Sequence, residues 1–123
     1  MEYRMYISGP IAHLDLTERK RAFTLAESRI NFYTDYIAVN PFKNGVPEEE
    51  HWSIHMKADI KLLLECDAIF MLKGWEMSKG CKLELDIATT IGLPVYFENS
   101  DGYKLGDWRF NRFYHYQITH KNN

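Results

Sequence analysis

The residues from Ser78 to Glu84 combine a helix start with a nearby carboxylate, and they follow the apolar run 68–72 by way of Gly74-Trp75. Ser78 is a typical N-cap residue, and Gly80 in the first turn lets a ligand approach the backbone closely. Free backbone N–H groups and the positive end of the helix dipole favour an anion there. The stretch predicts a site for a small anionic ligand within reach of Glu84, although an ordinary cap and a surface acid produce the same sequence.

Asp59 and Tyr6 are the other candidates for chemistry. Asp59 lies on a predicted helix beside the apolar positions Met56 and Ile60, so partial burial is expected to raise its pKa towards the range of a general acid. Its simpler interpretation is a boundary acid that faces solvent or bonds to His55. Tyr6 stands at the end of a predicted strand, where its hydroxyl can hold a carboxylate in place. The start of the third helix is expected to keep Glu84 ionised. Glu84 is then the ionised group and Asp59 the proton donor.

Alternating strands and helices must position these residues. Short apolar runs bounded by turn residues predict four strands, at residues 3–7, 36–39, 67–72 and 94–97. Residues at helical spacing predict three helices, at residues 16–33, 48–63 and 78–91. The third helix is indicated by Leu83, Ile87 and Ile91, which recur every four residues. The order predicts a single small, doubly wound α/β domain of Rossmann or flavodoxin-like type, with a mostly parallel sheet flanked by helices.

In a doubly wound sheet, ligands bind at the carboxyl ends of the strands, near the point where the strand order reverses. The polar, glycine and aromatic residues that follow the predicted strands become candidate binding residues: Ser8, Gly9, Asn40, Trp75, Ser78 and Gly80. The first loop lacks the GxGxxG fingerprint, and the chain has no P-loop lysine motif. The predicted ligand is therefore smaller than a dinucleotide.

Length and composition limit the class of protein. The 123 residues, 46% of them apolar, predict one domain over 1–123, with an aromatic C-terminal extension from about residue 99. A net charge of −2 without a basic stripe argues against long nucleic acids. No apolar run reaches the roughly 18 residues of a spanning helix, so we expect no membrane partner and a cytoplasmic location. Cys66 and Cys81 lack metal-ligand spacing, and no metal or cofactor is predicted.

Three motifs in a fixed order resemble the nucleoside 2-deoxyribosyltransferase-like superfamily. They are Tyr6-Ile7-Ser8-Gly9-Pro10, then Asp59 eight residues before Asp67-Ala68-Ile69, then Gly80 four residues before Glu84. The superfamily includes nucleoside deoxyribosyltransferases, 2′-deoxynucleoside 5′-monophosphate N-hydrolases, and short phage and bacterial members without assigned roles. The resemblance covers roughly residues 3 to 98.

The resemblance implies a role for each candidate. Glu84 would be the nucleophile or the carboxylate that stabilises the oxocarbenium ion, oriented by Tyr6, and Asp59 would handle the proton at the leaving nucleobase. Breaking a glycosidic bond develops positive charge on the sugar and negative charge on the leaving group. An ionised carboxylate stabilises the first charge, and a proton donor neutralises the second. No metal is needed.

The same resemblance implies a substrate. In the monophosphate hydrolases a serine six residues before the nucleophile lies at the sugar 5′-phosphate, whereas the nucleoside transferases often carry an acid there. Ser78 therefore favours a deoxynucleoside 5′-monophosphate, with Gly80 in the phosphate cradle. Ser8 and Gly9 would line the sugar or phosphate side, and Trp75 would stack on the base unless it is structural.

The chain departs from the superfamily at two points. Asp86 fills a position that is commonly glycine, while Ala88 matches. The first loop lacks a glycine-arginine phosphate grip, for which Lys79 or Lys82 would substitute.

The resemblance also implies a homodimer, in which the partner completes the pocket from a segment after the fourth strand. Residues 107 and 111, Asp107 and Asn111, are candidates in that segment.

Two other functions fit the same sequence. The first is a nucleotide-binding or sensing module on the same fold that retains the carboxylates for recognition alone, and Asp86 is its best support. The second is a protein-interaction domain that uses the aromatic C-terminal residues. Base release by the purified protein distinguishes the enzyme from both.

Overall fold

A computed structural model describes residues 2–98. The predicted aromatic extension from about residue 99, together with Asp107 and Asn111, lies outside the described residues. The elements follow the predicted order: β1 (Tyr3–Ser8), α1 (Leu16–Tyr33), β2 (Tyr36–Val39), α2 (Trp52–Leu64), β3 (Ala68–Met71), α3 (Lys79–Thr90) and β4 (Val95–Phe97). Two short 3-10 turns, Pro41–Lys43 and Trp75–Met77, follow β2 and β3. None of the helices within 2–98 is long and apolar enough to cross a membrane.

All strand pairs of the sheet are parallel, in the order β2-β1-β3-β4. The chain leaves β1 towards one edge and returns to place β3 on the other side of β1, so the strand order reverses between these two strands. Tyr6 pairs with Ile69, and Ser8 pairs with Met71. The predicted α/β fold with a parallel sheet flanked by helices is confirmed, and its switch point lies where β1 and β3 end.

The two faces of the sheet bury separate cores. Met5 and Ile7 of β1 pack with Phe23 and Ile30 of α1 on one face. Tyr6 lies on the opposite face, in the core that also contains residues of α2 and α3 such as Leu63. Because side chains alternate along a strand, residues 6 and 8 point to the same side. The candidate chemistry therefore shares a face with α2 and α3.

The buried side of α3 is not the stripe that predicted the helix. Leu83 and Ile91 are 42% and 51% exposed, whereas Cys81, Glu84 and Ala88 are buried. The inward side also buries Leu85 and part of Ile87, but the acid and small residues interrupt its hydrophobicity pattern. The helix can bury Glu84 because hydroxyl groups of β1 bond to its carboxylate.

Two of the three helices begin within one residue of their predicted first residue. Asp15 caps α1 by accepting from the Glu18 N–H at 3.1 Å, and Ser78 caps α3 by accepting from the Cys81 N–H at 3.2 Å. The acidic run 48–50 was expected to open α2, but this helix begins at Trp52 with His51 as its N-cap. The acidic side chains are exposed before it.

Candidate active site

Glu84 lies at the centre of a buried hydrogen-bond group. The Tyr6 hydroxyl donates to Oε2 at 2.5 Å, and the Ser8 hydroxyl donates to Oε1 at 2.7 Å. Glu84 is only 5% exposed, and both donors are fully buried. Two charge-assisted hydrogen bonds therefore fix the carboxylate plane, since each oxygen has its own donor.

Burial changes the acidity of this group. Desolvation raises the pKa of Glu84 from 4.5 to about 7, although the bonds from Tyr6 and Ser8 lower it and the charge of Asp59 raises it further. The sequence predicted a Glu84 held ionised by the helix start, and that expectation is wrong. Glu84 lies in the second turn of α3, beyond the first turn where the dipole acts. Burial also raises the pKa of Tyr6 well above its ordinary value, so its hydroxyl stays a donor.

The raised pKa predicts that the protein loses stability with rising pH. Because the folded state holds the Glu84 proton more tightly than the unfolded state, the stabilisation is complete below pH 4.5 and is lost as the pH rises through about 7. We expect the Glu84 contribution to change by about 3 kcal/mol over that interval, from about 1.4 kcal/mol per pKa unit. Urea unfolding at pH 5 and pH 8, for wild type and Glu84→Gln, measures it.

Glu84→Gln isolates this contribution because it keeps the shape and removes the titrating proton. The Tyr6 and Ser8 hydroxyls can accept from an amide as well as donate to it. The variant should be more stable than wild type at pH 8 and should show the smaller drop. An equal drop in both proteins would contradict the assignment of the shift to Glu84.

Asp59 is the second buried carboxyl group, at 8% exposure on α2. Its Oδ1 accepts from Nδ2 of Asn44 at 2.8 Å. Burial raises its pKa, while the Asn44 bond and the nearby His55 lower it. The predicted direction of the shift is confirmed. The bonding partner is Asn44 of the loop after β2 rather than His55, which the simpler interpretation had offered.

The three predicted catalytic residues line one cavity of about 220 Å³. Tyr6, Asp59 and Glu84 contribute its polar wall together with Ser78. The apolar wall comes from the first loop, α1, the loop after β2 and the start of α2: Ile11, Leu16, Pro41, Phe42, Val46 and Trp52. A concave apolar site with a few convergent polar groups is typical of small-molecule binding. Its position at the switch point agrees with the strand-end rule.

The described domain coincides with a known family. The family model named "Domain of unknown function (DUF4406)" matches residues 3–97. The chain belongs to the DUF4406 family. No curated protein matches it. The matched range includes the three predicted catalytic residues, Tyr6, Asp59 and Glu84.

Three predicted binding residues, Ser8, Asn40 and Trp75, do not line the cavity of this DUF4406 domain, and Ser8 instead bonds to Glu84. The Asn40 side chain accepts from the Phe42 N–H at 3.0 Å and donates to Glu27 at 3.1 Å. Trp75 packs against Phe97, with ring centroids 5.7 Å apart. Neither lines the cavity. Asn40 stabilises the turn after β2, and Trp75 belongs to the packing of the sheet.

The predicted glycines line the cavity, but protein atoms occupy the space beside them. A Cβ at Gly9 would lie 2.7 Å from Cδ1 of Leu72 and 2.9 Å from Cζ of Phe23. A Cβ at Gly80 would lie 3.1 Å from the sulfur of Met56. Core packing requires Gly9, and the close contact of α2 with α3 favours Gly80. Neither glycine needs a ligand to explain it.

Three residues of the site were missed by the sequence reasoning. Trp52, rather than the predicted Trp75, is the tryptophan that lines the cavity. Asn44 and His55 line the cavity beside Asp59. Asn44 follows β2, so the strand-end rule that selected Asn40 also applies to it. Trp52 and His55 share a helix with Asp59, and only the packing of that helix shows which side faces the cavity.

Lys79 places a positive charge near the cavity of the DUF4406 domain. Its ammonium nitrogen lies 5.3 Å from the centroid of the Trp52 ring, within the range of a cation–π contact. Lys79 directly follows Ser78, which caps the helix and lines the cavity. Of the two lysines proposed to replace the missing phosphate grip, Lys79 is the one whose ammonium group lies over the ring of a lining residue, Trp52. Within residues 2–98, no three His, Cys, Asp or Glu side chains are arranged to hold a metal ion.

Proposed function

We propose that this protein cleaves the N-glycosidic bond of a 2′-deoxynucleoside 5′-monophosphate or a deoxynucleoside. The observation that carries the proposal is the Glu84 carboxylate, held by Tyr6 and Ser8, in the same cavity as a second buried carboxyl group, Asp59. The motif resemblance to the nucleoside 2-deoxyribosyltransferase-like superfamily supports the same reaction. A homodimer stays a prediction from that resemblance.

The chemistry uses the two carboxyl groups in opposite protonation states. Ionised Glu84 attacks the anomeric carbon, or stabilises its positive charge, while the bond to the base breaks. Asp59 gives its proton to the departing base, which leaves neutral. Water then attacks the sugar as Asp59 takes a proton from it, and Glu84 departs as the carboxylate. A second base in place of water completes a transfer reaction.

The raised pKa of Glu84 suits this role because the carboxylate is poorly solvated. A carboxylate that burial destabilises gains more from a positively charged sugar than a solvated one does. Its two hydroxyl donors hold it in position for attack and limit the loss of ionisation. Tyr6 and Ser8 thus orient Glu84 without competing for the sugar.

The phosphate of the substrate is assigned to the start of α3. Ser78, Lys79 and Gly80 offer a hydroxyl, an ammonium group and backbone N–H groups near the positive end of a helix of 12 residues. Ser78 accepts from the Cys81 N–H, which leaves its hydroxyl proton for a phosphate oxygen.

Ser78→Asp should reverse the preference for phosphate. Aspartate is also a good N-cap, so the helix keeps its start while the new charge repels a phosphate. We expect kcat/KM for the monophosphate to fall about 10- to 100-fold, the scale of a lost hydrogen bond to a charged group. Turnover of the matching deoxynucleoside should change far less. Equal losses for both substrates would place the phosphate elsewhere.

A chromatographic screen tests the function itself. Deoxynucleosides and their monophosphates are incubated with the protein, with and without a second base, and free base is measured. Release from any of them supports the proposal, and release from none rejects it. Asp86 at the glycine position favours a sensor on the same fold, and that alternative predicts nucleotide binding to the wild type without turnover.

A further inference from the structure

We propose that Asn44 is a positioning residue that keeps the proton of Asp59 on Oδ2, the oxygen that serves the leaving base. This inference rests on the proposed function and identifies what prepares its proton donor. Asn44 lies in the loop after β2, fifteen residues before Asp59 in the chain, and reaches the carboxyl group at 2.8 Å. The motifs that suggested the function do not include it.

The hydrogen bond decides which carboxyl oxygen can carry the proton. Oδ1 of Asp59 accepts from Nδ2 of Asn44, and an oxygen that accepts an N–H is a poor place for the acid proton. Within the described residues no buried side-chain oxygen lacks a partner, and the hydrogen bond to the Asp59 carboxyl ends on Oδ1. Oδ2 is therefore accessible, and Asp59 lines the cavity.

The amide of Asn44 is itself held in one orientation. Its Oδ1 accepts from the Val46 N–H at 2.8 Å, and a backbone N–H can only donate. The amide nitrogen must then face Asp59. The same nitrogen lies 3.4 Å from Nδ1 of His55. With Nδ1 as the acceptor, the neutral imidazole carries its proton on Nε2.

Among residues 2–98, charged and titratable groups of three elements interact with Asp59. His55 is on the same helix and lowers its pKa. Glu84 of α3 and Tyr6 of β1 both interact with its charge. Asn44 is the neutral member that joins Asp59 to His55. Its loss is expected to change the titration of Asp59.

Asn44→Asp is the decisive variant because it keeps the oxygen for the Val46 N–H and replaces only the donor. Two facing carboxyl groups share a proton on the Oδ1 side, which leaves Oδ2 without one. We expect kcat to fall about 10- to 100-fold, the cost of a misplaced catalytic group, while KM changes by less than about threefold. The alkaline limb of the pH profile should move to higher pH.

Asn31→Asp is the matched control. Asn31 is exposed on α1, and its oxygen accepts from the Ala38 N–H at 2.8 Å, a bond that aspartate retains. The same chemical change there should leave kcat and the pH profile unchanged. Asn44→Ser, which offers an oxygen for the turn but no amide, should shift kcat in the same direction as Asn44→Asp.

NMR titration separates this inference from the proposed function. Carbon-13 detection of the Asp59 carboxyl group needs no turnover. In Asn44→Asp this group should titrate at higher pH than in wild type, whether or not any base is released. Unchanged titration of Asp59 overturns the inference. If the wild type is active, an unchanged kcat and an unchanged alkaline limb in Asn44→Asp overturn it as well. Absence of base release with a shifted titration of Asp59 rejects the proposed function and keeps the positioning by Asn44.

Discussion

Glu84→Gln should lower base release by about 10³-fold or more while leaving ligand binding nearly unchanged. The amide fills the same space between Tyr6 and Ser8 but has no charge to offer a positively charged sugar. Loss of the group that meets the reacting carbon removes stabilisation made in the transition state. Rates of base release at saturating substrate, with calorimetric titration of the ligand, measure both quantities.

The control for this variant is Glu76→Gln. Glu76 is exposed in the turn before α3, so the same substitution there removes a charge without touching the cavity. Its turnover should equal that of wild type. A Glu84→Gln protein that still releases base at near the wild-type rate would exclude Glu84 as the reacting carboxylate. A wild type that binds without turnover would instead support the sensor.

Asp59→Asn should lower base release by about 10²- to 10⁴-fold, the usual contribution of a general acid or base. The amide cannot give a proton to the departing base, although Glu84 can still act on the sugar. The loss should depend on the leaving group. A substrate whose leaving group departs as a stable anion needs no proton, and with it Asp59→Asn should recover most of the wild-type rate.

The leaving-group test distinguishes the roles of the two carboxyl groups. Glu84→Gln should stay inactive with the activated substrate, because its defect lies at the sugar carbon rather than at the base. Asp35→Asn is the matched control for Asp59→Asn, since Asp35 is exposed between α1 and β2. Equal losses of Asp59→Asn with good and poor leaving groups would assign Asp59 to substrate binding instead of proton transfer.

The fold was accessible from the sequence because its signals are local. The runs at 36–39 and 94–97 and the helical spacing in 16–33 agree with the structure to within a residue. The direction of the Asp59 pKa shift was also predictable, since its neighbours on the helix are apolar. The stripe of Leu83 and Ile91 indicated a helix correctly, although it lies on the exposed side.

The site was accessible only in part because its contacts join distant residues. Tyr6 and Glu84 are separated by 78 positions; the resemblance implied that Tyr6 orients Glu84, and the rule that ligands bind at strand ends gave no geometry for their bond. The same rule could not choose between Asn40 and Asn44, or between Trp75 and Trp52. Those choices depend on which side chain is bonded or packed within its own turn and which side chain faces the cavity.

The sequence by itself determined the order of strands and helices, the edge of the sheet at which the candidate site lies, and three residues that line its cavity. Hydrophobic periodicity and turn residues act over a few positions, so a single chain displays them. Only the tertiary structure decided that burial brings the pKa of Glu84 to about 7 and that Asn44 holds Asp59. Desolvation and hydrogen bonds between remote residues depend on distances in space, which spacing along the chain does not contain.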